Sequence, residues 1–193
     1  MTEAHPAQIP TQLTLSHVGI YVRDLDRMVE FYRHMLGFIV SDRAVARKYE
    51  TAFLTRTPGA HHELVLSAGR PEGAGPEHAA QQISFKAAAL NDLRAMQARA
   101  GEQEASGGVT DIYAVDHGNA YSLYFRDPEE NRIEIYLDTP WHVSQPHHEK
   151  LDLTRSDAEI LTATEQRIRT DPSFMTAEEY ANRQREELAA SGE

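Results

Sequence analysis

The pattern of apolar and polar positions in the first third of the chain predicts a strand, a helix and three further strands. Between Leu13 and Val22 apolar residues alternate with others, which is typical of a strand with one buried face. From Asp24, a residue type that favours helix N-termini, apolar residues recur at helical spacing as far as Leu36, just before Gly37. Strand-like segments follow at Phe38–Asp42, Thr51–Arg56 and His62–Leu66.

The same order recurs later in the chain, after a break rich in glycine and proline at Gly69–Pro76. The alternating segment Gln82–Ala87 predicts the first strand of this second unit. Asn91 is expected to cap a short helix that stops before Gly101. Three more strands are predicted near Asp111–Val115, Tyr121–Arg126 and Arg132–Leu137.

The repeated order predicts an α+β fold in which two tandem βαβββ modules form an open barrel that encloses a cleft. One four-stranded sheet with one helix covers a single face, so a second unit is needed to shelter the other. When the units are aligned, His17 corresponds to Gln82 and Glu63 corresponds to Glu134. We expect His17, Gln82 and Glu134 to point into the cleft.

These patterns divide the chain into five parts. They are a flexible N-terminus (1–12), a first module (13–68), an inter-module loop (69–78), a second module (79–140) and a C-terminal helical extension (141–193). In the extension, Ser156 with Glu159 and Thr176 with Glu179 have the spacing of capping boxes, which predicts two helices. Such an extension is expected to pack or to form oligomers rather than to carry chemistry.

Composition and charge narrow the classes of protein and partner. No apolar run in the 193 residues approaches the roughly 20 residues of a membrane span, and the polar start has no signal-peptide pattern. The formal net charge of −11 argues against nucleic acid and anionic membranes as partners. The absence of cysteine excludes disulfides, zinc–thiolate sites and thiol nucleophiles. We therefore expect a cytoplasmic protein whose partner is neither nucleic acid nor a membrane.

Glu134 is the residue that most directly suggests chemistry. It lies between Ile133 and Ile135 in a predicted strand, and a carboxylate there is costly unless it is paired or coordinated. Glu134 is therefore a candidate metal ligand. The alternative is a glutamate at the rim of the sheet that pairs with an arginine.

The stretch that contains Glu134 resembles the signature of extradiol ring-cleaving dioxygenases in the vicinal oxygen chelate superfamily. The matching residues are Val115, His117, Leu123, Tyr124, Asp127, Pro128 and Glu134. Glu130 departs from the pattern, since the family usually has glycine there, and we expect this departure to alter only the turn. The resemblance covers about residues 13–140, and paired βαβββ modules are the architecture that it implies.

The resemblance also implies a metal site. In extradiol enzymes two histidines and one glutamate bind Fe(II) and leave positions open for a catechol and dioxygen. His17 matches the first histidine and Glu134 the carboxylate, but Gln82 stands where the second histidine is expected. Because an amide oxygen is a weaker donor than imidazole, iron affinity should fall. Gln82 could ligate weakly, a water or a nearby histidine could replace it, or the pocket could bind without metal.

Three residues are implied in proton transfer and substrate contact. His62 matches the acid–base histidine, His117 a second pocket histidine, and Tyr124 the tyrosine that hydrogen-bonds the bound catecholate. A histidine near its reference pKa of about 6.5 can exchange protons at neutral pH. His62 and Glu63 cannot both point inward from a regular strand, and we favour His62.

Three functions remain open, of which the first is favoured. The first is an Fe(II)- or Mn(II)-dependent extradiol dioxygenase, expected as a homo-oligomer, which acts on a catecholic aromatic compound with dioxygen. The second is a glyoxalase- or isomerase-type metalloenzyme in which Glu63 is a fourth ligand to Zn(II), Ni(II) or Mn(II). The third is a metal-poor protein that sequesters a small aromatic molecule. Whether Glu63 or His62 faces the metal separates the first two, and copurification of metal separates both from the third.

Overall fold

The computed structural model describes residues 15–46, 48–75 and 80–190, and it shows two sheets that each pack a helix on one face. The predicted N-terminal segment 1–12 lies outside the described residues. The first module comprises β1 (Val18–Val22), α1 (Leu25–Leu36), β2 (Ile39–Ala46), β3 (Tyr49–Thr55) and β4 (Leu64–Ala68). The second comprises β5 (Ile83–Lys86), α2 (Leu90–Glu104), β6 (Thr110–Asp116), β7 (Ala120–Arg126) and β8 (Arg132–Asp138). The predicted order of elements is confirmed in both modules.

Both sheets have the same topology. The strand order is β1-β4-β3-β2 in the first sheet and β5-β8-β7-β6 in the second, where β10 (Glu149–Lys150) adds a further edge strand. In each sheet the first strand runs parallel to the last strand of its module, and the other neighbours are antiparallel. Within the described ranges the sheets do not close into a barrel, in agreement with the open architecture that was expected.

The helix α1 follows its sequence pattern closely. The side chain of Asp24 accepts a hydrogen bond from the Arg27 amide at 3.0 Å, and the helix ends at Leu36. Its apolar face is buried, with Met28 and Tyr32 both 0% exposed. Local spacing alone was therefore enough to predict this helix and its buried face.

The bounds of α2 correct the prediction. The helix already begins at Leu90 with Ala89 as its N-cap, so Asn91 is a helical residue and not the cap, and the helix continues past Gly101. Its start is set by Asp92, whose carboxylate accepts hydrogen bonds from two main-chain N–H groups that precede the helix. Glycine inside a helix costs only about 1 kcal/mol, which packing of the helix on the sheet can offset.

The registers of the parallel ladders correct the alignment of the two modules. In the first module Gly19 lies opposite Val65, and in the second Ser84 lies opposite Glu134. Gly19 and Ser84 hold the same place in their strands, so Val65 is the structural counterpart of Glu134. The expected correspondence between Glu63 and Glu134 is therefore wrong, because a register depends on long-range pairing that spacing along the chain does not reveal.

The turn between β7 and β8 joins the modules. Glu129 Oε1 accepts hydrogen bonds from the main-chain N–H groups of Arg23 and Asp24 at 2.7 and 2.8 Å. The buried Arg70 donates to the Glu129 carbonyl oxygen and to Asn131 Oδ1, both at 3.2 Å. A carboxylate of the second module thus satisfies free N–H groups at the N-terminus of α1, where negative charge is also favoured by the helix dipole.

The C-terminal extension packs on the outer strands of the second module. Besides β10 it contains β9 (Trp141–His142), α3 (Asp157–Ile168), β11 (Met175–Thr176) and α4 (Ala177–Ala190). The buried Thr164 of α3 accepts a hydrogen bond from Tyr121 OH at 2.8 Å and lies 2.7 Å from an Asp116 oxygen. Both predicted capping boxes are present, at Ser156 and Thr176. None of the helices in the described residues is long and apolar enough to cross a membrane.

Candidate functional site

Glu134 lies on the face of β8 that points away from the helices. Its neighbours Ile133 and Ile135 belong to the core, whereas its carboxylate turns to the opposite face and is still only 8% exposed. Four groups donate hydrogen bonds to it: Gln82 Nε2 at 2.9 Å, Ser84 Oγ at 2.5 Å, Ser122 Oγ at 2.8 Å and Tyr124 OH at 2.6 Å. The carboxylate is therefore the hub of a polar cluster built from β5, β7 and β8.

The charge of this carboxylate has no cationic partner among the described side chains, since all its hydrogen-bond donors are neutral. A buried carboxylate is costly unless its charge is balanced, so a cation would stabilise the arrangement. Within the described parts of the chain, no three histidine, aspartate or glutamate side chains are grouped to hold a metal ion. A metal at Glu134 would therefore need ligands of another kind as well, and the amide of Gln82 is in contact with the carboxylate.

Gln82 stands just before β5, where its amide reaches across to the neighbouring strand. Its Nε2 donates to Glu134 at 2.9 Å and to Ser84 Oγ at 3.1 Å. A half-turn of the amide would put its oxygen in place of its nitrogen. The side chain thus lies within reach of an ion that Glu134 binds, and the donor set of carboxylate, amide and imidazole fits a divalent cation.

His17 lies just before β1 and contacts His62. The centroids of the two rings are 4.4 Å apart with an interplanar angle of 61°, and the His62 ring also contacts Phe53 at 5.2 Å. Partial burial, helped by the adjacent His17 and His61 imidazoles, lowers the pKa of His62. The lowered pKa favours the neutral form of His62, in which one ring nitrogen can accept a proton.

A cavity of about 410 Å³ connects His17 with the second module. Its lining includes His17 and Glu63 from the first module and Ser84 and Lys86 from β5. Because the Ser84 hydroxyl binds Glu134, the cavity reaches the edge of the polar cluster. Its apolar lining consists of Leu15, Val18, Phe38, Leu64, Ile83 and Phe85.

Glu63 is engaged by its own loop. Its Oε2 accepts hydrogen bonds from the Thr55 hydroxyl and from the N–H groups of Arg56 and Thr57, and its Oε1 accepts one from the Thr57 hydroxyl. These bonds, led by that from the Arg56 amide, lower the pKa of Glu63. The contacts favour a role in closing the loop between β3 and β4 over a role as a fourth metal ligand.

Tyr124 and His117 form a second layer behind the carboxylate. Tyr124 OH lies 2.6 Å from Glu134 Oε1 and 3.1 Å from His117 Nε2, and its ring stacks on Tyr113. Burial, reinforced by the hydrogen bond to Glu134, raises the pKa of Tyr124 well above its ordinary value. Tyr124 therefore keeps its proton at neutral pH and acts as a hydrogen-bond donor.

The sequence-predicted residues thus lie in two groups, of which the second reaches the cavity through His17. Gln82, His117, Tyr124 and Glu134 form one connected set, and His17 and His62 form the other. Ser84 and Ser122 were missed by the sequence analysis. Their only signal is that they alternate with Gln82 and Tyr124 along β5 and β7, and serine is too common on strands for alternation to single it out.

Comparison with known proteins relates the chain to one superfamily. The model of the Glyoxalase/Bleomycin resistance protein/Dioxygenase superfamily matches residues 14–135. Biphenyl-2,3-diol 1,2-dioxygenase 3 of Rhodococcus globerulus is 30% identical to the chain over 131 residues, which are 64% of this chain and 63% of that protein. The similarity therefore spans less than two thirds of the length of that relative.

Solved structures share the fold at lower identity. A glyoxylase/bleomycin resistance protein/dioxygenase domain from Frankia sp. EAN1pec superposes with a TM-score of 0.56 at 21% identity, covering 67% of this chain and 94% of that one. The fosfomycin resistance protein FosX from Listeria monocytogenes gives 0.50 at 15% identity, covering 68% and 96%. Since the family match runs from the start of β1 into β8, across both modules, the chain belongs to the glyoxalase/bleomycin resistance protein/dioxygenase superfamily.

Proposed function

We propose that this protein is a metal-dependent extradiol-type dioxygenase that opens the ring of a catecholic aromatic compound with dioxygen. The observation that carries the proposal is the buried Glu134 carboxylate, whose partners in the described chain are all neutral and which Tyr124 links to His117. The Rhodococcus relative, named as a dioxygenase of an aromatic diol, supports the same reaction class. That the protein forms a homo-oligomer remains a prediction from its sequence.

Glu134, Gln82 and His17 are the residues that would hold the metal. Oxygen and nitrogen ligands of this kind suit Fe(II) first and Mn(II) second. When bound, the metal would acidify the diol and hold the two reactants side by side. Because one of the three ligands is an amide, we expect weaker iron binding than a site with two histidines would have.

The remaining residues would bind and orient the substrate. The apolar lining of the cavity, which includes Phe38 and Phe85, suits an aromatic ring, and its volume of about 410 Å³ is in the range of small-molecule sites. Tyr124 would donate a hydrogen bond to a substrate oxygen. His62, neutral because its pKa is lowered, would take a proton from a diol hydroxyl.

One observation favours a second candidate, binding of an aromatic molecule without metal. Both oxygens of Glu134 already accept hydrogen bonds, so the cluster is satisfied before any ion binds. In that case Glu134 would hold Tyr124 and Gln82 in place for the ligand. The glyoxalase-type alternative has less support, because Glu63 is engaged by its own loop.

The test is elemental analysis of the purified protein, followed by oxygen uptake with a panel of catechols after anaerobic reconstitution with Fe(II) or Mn(II). We expect one metal per chain, oxygen consumption and yellow ring-cleavage products. The variant Gln82→His should raise iron affinity, and an unchanged or lower affinity would show that this side chain is not at the metal. If the protein binds catechols but contains no metal and consumes no oxygen, the dioxygenase proposal fails and the second candidate, a binding protein, takes its place.

A further inference from the structure

The segment that follows β8 folds back onto His117, although the family match ends at residue 135. Gln145 Nε2 donates to the His117 carbonyl oxygen at 2.9 Å and to Asn119 Oδ1 at 3.1 Å. Its Oε1 accepts the His147 N–H at 2.9 Å. These bonds bring the carbonyl oxygen of His147 to 2.7 Å from His117 Nδ1.

The partners of the His117 ring determine where its hydrogen lies. A carbonyl oxygen only accepts hydrogen bonds, so the Nδ1 that faces His147 has to carry a hydrogen. In the neutral ring Nε2 then has a free lone pair, and it faces Tyr124 OH at 3.1 Å. The single phenolic hydrogen is donated to the Glu134 carboxylate at 2.6 Å, and the imidazole nitrogen at 3.1 Å is a second acceptor towards which it can turn.

The extension also packs closely on Gly118, the residue that follows His117. A side chain at Gly118 would bring its Cβ to 2.6 Å from Val143 Cγ1 and 3.1 Å from Ile168 Cγ2. Both Val143 and Ile168 are 0% exposed. Gln145, which also belongs to the extension, donates to the carbonyl oxygen of His117 from another side. The backbone beside His117 is therefore held by the extension from more than one direction.

We propose that the C-terminal extension completes the active site: the main-chain carbonyl of His147 selects the Nδ1–H tautomer of His117, which presents Nε2 to Tyr124 as an acceptor. His117 is then a positioning residue that acts on substrate through the Tyr124 hydroxyl. The effect of His117 on turnover rests on the proposed function. The assignment of its tautomer does not, because it follows from the His147 carbonyl alone. The extension thereby has a role in the site, beyond the packing or oligomer formation expected from its sequence.

The experiment measures the ¹⁵N shifts of the His117 ring in labelled protein, together with kcat and KM. In the unsubstituted protein we expect the Nδ1–H tautomer. Gln145→Ala removes the hydrogen bonds that hold the 145–147 segment against His117, so the Nε2–H form should appear. We then expect kcat to fall about 10-fold while KM changes less. The matched control is Gln184→Ala, the same substitution at an exposed glutamine of α4, which should leave tautomer and kcat unchanged.

Gln145→Glu is a second variant, because it keeps an acceptor for the His147 N–H but loses the donor to the His117 carbonyl. It should shift the tautomer in the same direction with the fold intact by circular dichroism. An Nε2–H tautomer in the unsubstituted protein would overturn the proposal, as would unchanged tautomers in both folded variants. If the tautomer shifts as expected but no variant and no parent protein consumes oxygen with catechols, this proposal stands and the proposed function fails.

Discussion

The two modules have the same topology and matching ladders, yet they place different groups on the cleft face. At equivalent positions the second module pairs Glu134 with Ser84, whereas the first pairs Val65 with Gly19. Glu63, two residues before Val65 in the first module, accepts hydrogen bonds from residues of the loop between β3 and β4. A repeated fold therefore does not repeat the site, because a shift of two residues along a strand changes what a carboxylate can reach.

The two modules therefore contribute different side chains to the candidate site. The second module holds the buried Glu134 carboxylate and the Tyr124–His117 layer, and the first holds the contacting rings of His17 and His62, of which His17 lines the cavity. Such a divided site depends on the relative placement of the modules. The bonds from the N–H groups of Arg23 and Asp24 to a glutamate of the second module provide part of that placement.

The largest expected effect that separates the two carboxylates is on metal binding. Glu134→Gln keeps the shape of the side chain but removes its charge, so affinity for Fe(II) or Mn(II) should fall by about 100-fold or more. Glu63→Gln is the matched change in the first module and should leave affinity unchanged. Metal titration by calorimetry measures both, and an equal loss in the two variants would restore a four-ligand site that includes Glu63.

The next effect concerns two glycines with positive φ, Gly118 of the second module (φ 78°) and Gly59 of the first (φ 87°). Alanine is strained at either position by about 1 kcal/mol. At Gly118 the new Cβ would also collide with the extension, which adds about 1–3 kcal/mol, whereas nothing lies within 4 Å at Gly59. Urea unfolding should therefore show a clearly larger loss for Gly118→Ala. Equal losses would mean that the extension does not pack on the β6–β7 turn as described.

A smaller effect tests the role assigned to Glu63. Replacing the carboxylate by an amide in Glu63→Gln should lower the free energy of unfolding by about 1 kcal/mol at neutral pH, because bonds to a charged acceptor are weakened. Hydrogen bonds lower the folded-state pKa of Glu63 below its ordinary value of 4.5. Its charge therefore stabilises the fold above pH 4.5, and this contribution disappears as the pH falls through the lower folded value. Urea unfolding curves of the two proteins should thus differ at neutral pH and converge at strongly acidic pH, and a difference that persists in acid would contradict the assignment.

The smallest effect concerns two turns. Glu130, where the signature usually has glycine, has φ 68°, and Lys48 in the β2–β3 turn has φ 84°. Glu130→Gly should raise stability by up to about 1 kcal/mol, since it relieves a left-handed conformation. Lys48→Gly should gain less, because it also loses the contact between the lysine Nζ and the Tyr49 ring, at 5.2 Å from the ring centroid. Thermal unfolding would measure both, and a loss of metal binding in Glu130→Gly would show that the turn affects more than itself.

The amino-acid sequence by itself determined the order of the elements, the apolar face and N-terminal cap of α1, and both capping boxes of the extension. These features depend on residues three or four apart, so local spacing carries them. It also pointed to Glu134, since a carboxylate between two core isoleucines is conspicuous in one strand alone.

Only the tertiary structure decided which groups meet at the site. The register that makes Val65, not Glu63, the counterpart of Glu134 arises from pairing between strands far apart in the chain. The bond between His117 and the carbonyl of residue 147 joins positions 30 residues apart and involves a main-chain group, which carries no signal in residue identity. Contacts of this kind are set by how sheets and extension pack together, and that packing decides which side chains share one carboxylate.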